Sequence, residues 1–148
     1  MLIYLDMCCL KRPFDDQSQS RVRLESEAVL SLLALESSDV RFVRSPALLL
    51  ENSRNPVKER ASRVGQWLLS ESTLASELDS KALEARMAEL MRLGLKNFDA
   101  LHVATAEQVR ADVMATCDDR LIAAARRGGG RVMVRVIGVI ELAEEILK

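Results

Sequence analysis

Two short apolar runs in this chain stop at an acid. Leu2-Ile3-Tyr4-Leu5 runs straight into Asp6, and Val113-Met114-Ala115-Thr116 is followed two residues later by Asp118. Runs this short, cut off at once by polar sequence, read as buried strands rather than helices. Val40–Val43 is another such run and Val132–Ile137 a last one. The sequence between them has helical spacing: Leu24, Ala28, Leu32 and Leu35 recur at i, i+4, i+8 and i+11, one face of an amphipathic helix. Strands alternating with helices predict an α/β fold, a largely parallel sheet flanked by helices.

Local signals place the other helices. Lys11–Gln19, with Pro13 and two Asp, is a loop, and Ser18 or Ser20 is the expected cap of the helix after it. Ser45-Pro46 is a strong start, a capping hydroxyl followed by Pro at the first helical position. That helix carries Leu48–Glu51 and ends before Asn55-Pro56, because Pro disfavours a helical residue ahead of it. Further helices are expected over Pro56–Leu69, over Leu74–Leu93 with an apolar stripe of Leu83, Met87, Leu90 and Met91, and from Asn97 to about Arg110. Gly94 is a natural C-cap. Asp118–Arg127 reads as a helix, Gly128–Gly130 as a turn and Val139–Leu147 as a terminal helix.

With 148 residues, 49% apolar and 29% charged, the chain fits one globular domain over 1–148. A net charge of −1 advertises no nucleic-acid affinity, but Arg41, Arg44, Arg54, Lys58, Arg60 and Arg63 crowd one segment as a candidate basic face or a solvated helix surface. Three cysteines without C-x-x-C spacing suggest a reduced, cytoplasmic protein. No N-terminal signal pattern appears, and no stretch approaches the roughly 18 apolar residues of a membrane span.

Asp6, Glu51, Asp99 and Asp118 are the candidate site. Each falls where a strand ends or near a helix start, and open parallel sheets bind ligands beyond the carboxyl ends of their strands. Carboxylates gathered without a like number of His or Cys suit hard divalent cations and metal-assisted phosphodiester chemistry.

The order and content of these segments resemble the PIN-domain family over nearly the whole chain, from residue 2 to about 140. The resemblance rests on Leu5-Asp6, on Glu51 in the helix after the second strand, on Asp99-Ala100-Leu101-His102-Val103-Ala104-Thr105-Ala106, and on Thr116-Cys117-Asp118-Asp119-Arg120-Leu121. It implies a three-layer α/β/α sandwich and a Mg²⁺- or Mn²⁺-dependent ribonuclease, with relatives among the VapC-like toxins of toxin–antitoxin pairs. It assigns the metal site to Asp6, Glu51, Asp99 and Asp118. It also implies an RNA substrate, a cognate antitoxin partner and a homodimer, which the Leu83–Met91 stripe would serve. Many relatives carry Thr or Ser after the first Asp and Asn next; here Met7 and Cys8 stand there, whereas Thr116 matches the family's hydroxyl ahead of the fourth acid. An alternative is a PIN-like module that binds RNA or a protein partner without cutting. A phospho-acceptor receiver domain fits less well, since it wants paired acids after the first strand and Asp6 is followed by Met7.

Around the acids, His102 is expected to be a packed, hydrogen-bonded histidine rather than a general base. Asp119 is either an outer acid of the site or the start of a helix. Arg12, Arg54 and Arg120 are candidate phosphate contacts. Cys8, Cys9 and Cys117 all lie beside the acids, but they offer too few ligands at good spacing for a zinc site and read as small buried side chains.

Overall fold

The structure, a computed structural model, describes residues 1–71 and 78–148. Four strands, β1 (Leu2–Leu5), β2 (Arg41–Phe42), β3 (Val113–Thr116) and β4 (Val136–Gly138), form an all-parallel sheet in the order β2-β1-β3-β4. Ile3 sits opposite Phe42 and Tyr4 opposite Met114, which in turn faces Val136. A parallel sheet needs cover on both faces. Accordingly Ile3, Tyr4 and Leu5 and all of β3 are buried, although successive side chains point to opposite sides.

The cover comes from eight α-helices among the described residues: α1 (Met7–Lys11), α2 (Ser20–Leu33), α3 (Pro46–Ser53), α4 (Lys58–Leu69), α5 (Ser80–Arg92), α6 (Asn97–Gln108), α7 (Asp119–Gly128) and α8 (Val139–Ile146). α2 packs against α8, and α6 packs against α3, α5 and β3. The result is the expected α/β/α sandwich.

Topology positions the site. The chain leaves β1 for β2 on one side of the sheet, and leaves β3 for β4 on the other. Connections diverging from neighbouring parallel strands open a crevice at their carboxyl ends. Asp6 and Asp118 stand at that crevice.

The capping signals are realised. Ser45 Oγ accepts the Leu48 N–H at 3.2 Å, and Gly94 takes φ +106°, which favours glycine. Other expectations need correction. Ala28 and Leu32 of the expected stripe are buried, but Leu24 is exposed, and the buried face of α2 is rotated to take in Val22, Glu25, Ser26 and Val29. The apolar pattern misplaces the face because a carboxylate occupies a core position, where Arg12 at 3.1 Å and Arg21 at 3.4 Å offset its charge. Neither serine caps α2: Gln19 holds that position, and Ser18 Oγ donates to Asp16 instead. Helix α1 occupies sequence not expected to be helical. β4 lies later than the Val132–Ile137 run, whose start follows a 3-10 turn at Gly129–Arg131. Asn97 is the first residue of α6 rather than its cap. Residues 74–77 of the expected Leu74–Leu93 helix lie outside the described residues, and α5 begins at Ser80 with Asp79 as its cap. The stripe on α5 is largely taken up within the chain. Leu90 is fully buried and Leu83 and Met87 pack on the core, leaving Met91 outside.

Helix α4 allows a direct test of this packing, because Leu68 is fully buried while its neighbour Leu69 is 69% exposed. Leu68→Ala is expected to destabilise by roughly 2–5 kcal/mol and Leu69→Ala by less than about 0.5 kcal/mol, read from urea unfolding. Equal losses would place α4 in a different rotation.

Candidate metal centre

Asp6 ends β1 and caps α1 at once. Its backbone N–H continues the sheet ladder by donating to Ala115 O at 2.9 Å, while Oδ1 accepts the Met7 N–H at 2.8 Å. The other carboxylate oxygen, Oδ2, accepts from Thr116 Oγ1 at 2.7 Å and from the Cys8 thiol at 3.4 Å. The side chain is buried, and no cationic side chain among the described residues hydrogen-bonds to it. Burial foremost, with Cys8 adding to it, pushes its pKa up to about 8 against the opposing pull of His102 and Thr116.

Thr116 ties the first acid to the fourth. Its Oγ1 also accepts the Asp118 N–H at 3.1 Å, and Asp118 caps α7 by accepting the Arg120 N–H at 2.9 Å. Asp99, in the first turn of α6, is half-buried; burial, then the charges of Asp6, Asp118 and Glu51, lift its pKa to about 6. Asp99 and Asp118 line one open pocket of about 470 Å³ with Lys96, Arg120 and Arg127 at its edge.

Glu51 comes from α3 and is held by His102, whose Nε2 lies 2.6 Å from Glu51 Oε1. His102 is fully buried, and its Nδ1 lies 2.5 Å from the Tyr4 hydroxyl, which lies 3.0 Å from Ser45 Oγ. Burial alone would push the imidazole pKa down, but the bond to Glu51 and the charges of Asp6, Glu51 and Asp99 outweigh it and raise the pKa. A protonated ring fits the chain of donors: Nε2–H to Glu51, Nδ1–H to Tyr4, and the tyrosine hydroxyl to Ser45. The expected packed, hydrogen-bonded histidine is what the structure holds. Its partners were not legible in the sequence, because they depend on α3 meeting α6.

The structure therefore brings Asp6, Glu51, Asp99 and Asp118 to one crevice. One ligand atom each from Asp6, Glu51 and His102 lie within 4.8 Å of one another, and Asp99 feels the charges of the other three acids. A buried carboxylate lacking a cationic side chain, Asp6, with the partly buried Glu51, Asp99 and Asp118 around it, fits a hard divalent cation.

Other candidates move away from the site. Asp119 is exposed and forms a two-bond ion pair with Arg21, both contacts at 2.8 Å. Arg12 pairs with Asp15 and Glu25. Part of the basic segment is engaged within the chain: Arg44 is buried on Glu36 and stacked over Trp67, and Arg60 pairs with Asp15, whereas Arg41, Lys58 and Arg63 are exposed. Arg54 lies over the Phe98 ring, next to Asp99, and Arg120 stays at the pocket.

The PIN-domain family model matches residues 4–127, and the chain belongs to the PIN-domain family, a nuclease fold. No curated protein and no solved structure matches the chain. No helix among the described residues is long and apolar enough to cross a membrane.

The raised carboxylate pKa values weaken the metal-free protein as pH rises, opposed by Cys117, whose thiol is held down to about 5 by hydrogen bonds from Cys8 and Cys9. Folded Asp6 and Asp99 keep protons that the unfolded chain has released, so stability falls as pH climbs from the ordinary carboxylate range through about 6 and about 8. His102 acts in the same direction, since a raised imidazole pKa stabilises below its ordinary value and the contribution is lost as pH rises. The metal-free melting temperature is expected to drop between about pH 5 and about pH 8, and Mn²⁺ to raise it more at the higher pH. A pH-independent melting temperature in the chelated protein would contradict this electrostatic account.

Proposed function

We propose that this chain, a single PIN domain over residues 1–148, is a metal-dependent ribonuclease that hydrolyses RNA phosphodiester bonds. The observation that carries the reading is the convergence of Asp6, Glu51, Asp99 and Asp118 at the crevice between β1 and β3, with Asp6 buried and unpaired by any cationic side chain. These four residues would hold one or two Mg²⁺ or Mn²⁺ ions. Such ions, when bound, supply a Lewis acid that activates water and offsets charge on the phosphate.

The chain's own residues do the rest. Thr116 fixes the orientation of Asp6 and, through the Asp118 N–H, the start of α7. His102, braced by Tyr4, fixes Glu51. Lys96, Arg120 and Arg127 rim the pocket, where they would position substrate phosphates without reading sequence. No side-chain nucleophile is required.

The finer reading is a toxin of a toxin–antitoxin pair or a close relative, acting in the cytoplasm as a homodimer and restrained by a cognate antitoxin. What supports it is the likeness of the acid-bearing blocks to VapC-like toxins. The homodimer would draw on a surface other than the Leu83–Met91 stripe, most of which packs within the chain.

One observation favours a second reading, a catalytically weak module that binds RNA or protein. Met7, which is buried, stands where many relatives carry a hydroxyl, and Cys8, whose thiol bonds Asp6, where they carry an amide. Against it, Thr116 already supplies Asp6 with a hydroxyl donor from the neighbouring strand.

RNA cleavage separates the two. The purified protein is expected to cut RNA with Mn²⁺ or Mg²⁺, to stop in EDTA, and to fall to background as Asp99→Asn. Thr116→Val, which removes a hydrogen bond behind a ligand, should cost roughly 10–100-fold in activity or metal affinity. Binding without cleavage across varied RNAs would favour the second reading, and cleavage unchanged in Asp99→Asn would expose a contaminating nuclease.

A further inference from the structure

Three sulfurs meet behind Asp6. Cys8 and Cys9 stand in α1, Cys117 follows β3, and the parallel pairing of β1 with β3 brings these ends together. All three are free thiols, and their Sγ atoms lie within 4.8 Å of one another, with Cys9 and Cys117 3.7 Å apart. Zinc–thiolate bonds of about 2.3 Å put sulfurs ~3.8 Å apart at the corners of a tetrahedron. The Cys9–Cys117 pair is at that spacing, and the pairs with Cys8 fall within 4.8 Å, which a small side-chain adjustment closes.

The surroundings hold the sulfurs in place. Cys8 Sγ accepts the Cys117 N–H at 3.2 Å, and the Cys9 thiol donates to Ala115 O at 3.4 Å. Cys9 and Cys117 are buried, whereas Cys8 is partly open and gives a route of entry. Three thiolates around a divalent cation leave one net negative charge, which the Arg12 guanidinium beside Cys117, already paired with Asp15 and Glu25, offsets only in part.

We propose that Cys8, Cys9 and Cys117 form a three-thiolate site for a soft divalent cation of the Zn²⁺ type, distinct from the carboxylate centre. Loading takes up one ion, and each thiol passes its proton to solvent as its sulfur coordinates. Ligand chemistry keeps the two sites apart: thiolates select soft metals, and carboxylates hard ones. The sites nevertheless touch, because Cys8 donates to Asp6 Oδ2 when it carries a proton. Occupation of the thiolate site removes that donor, so the soft metal would report on, and alter, the first corner of the hard-metal centre. The site itself does not depend on the nuclease reading.

The test uses the full reduced chain with Cd²⁺ as probe. A thiolate-to-cadmium ultraviolet absorption band should grow to saturation at one ion per chain, and X-ray absorption at the cadmium edge should count three sulfurs. The band should survive excess Mg²⁺ and the Asp118→Asn substitution, and should be lost or greatly weakened in Cys117→Ser and Cys9→Ser. Should those variants fail to fold by circular dichroism, the sulfur count in the unaltered protein decides. No band with all three thiols reduced, a shell of fewer than three sulfurs, or an undiminished band in folded Cys117→Ser would each overturn the proposal.

Discussion

The pairing of β1 with β3 is the constraint on which the rest of the molecule depends. Because the strands are parallel and in register from Ile3–Val113 to Leu5–Ala115, their carboxyl ends finish side by side. The residues that follow, Asp6 to Cys9 on one strand and Thr116 to Asp118 on the other, are forced into contact. The Thr116 hydroxyl completes the join by donating to Asp6 and accepting from the Asp118 backbone. A crossover in each direction away from this pair leaves the crevice open.

Closing that crevice around carboxylates has an electrostatic cost. Asp6 is buried among acids, and no cationic side chain meets it; the nearest positive charge is His102, committed to Glu51 and Tyr4. The fold tolerates this through protons: Asp6 keeps one to about pH 8 and Asp99 to about pH 6. A bound divalent cation would replace those protons, which links the stability of the protein to its proposed activity. Two nearby arginines are engaged elsewhere, Arg12 with Asp15 and Glu25 and Arg21 with Glu25 and Asp119, while Arg120 and Arg127 stay at the pocket beside Asp99 and Asp118.

Much of this was legible in the sequence. Apolar runs cut off by an acid marked β1 and β3, Ser45-Pro46 marked α3, and the family's blocks marked the four acids. What was not legible depended on contact between distant segments. Helix α1 escaped notice because Asp6 serves as both strand end and helix cap, leaving no loop to signal a new element. The face of α2 was misjudged because Glu25 sits inside on the strength of two arginines, one of them outside the helix. The brace of Tyr4 and His102 on Glu51 joins residues 98 and 51 positions from the histidine only once β1, α3 and α6 pack; sequence spacing alone carries no trace of it, although a lone His beside an acid-bearing block is a reason to look. The nearness of the three cysteines was legible from the acids beside them, but the 3.7 Å contact of Cys9 with Cys117 was not, because the sheet alone creates it.

The central proposal is that Asp6, buried, and the partly buried Glu51, Asp99 and Asp118 hold a hard cation. Its most direct test is anomalous diffraction from crystals soaked in Mn²⁺. The account predicts a peak in the crevice, coordinated by Asp6 and by at least one of Asp99 and Asp118, with Glu51 still held by His102. Manganese found only on exposed surface acids, with Asp6 left hydrogen-bonded to Thr116 and Cys8 and no ion beside it, would contradict the account.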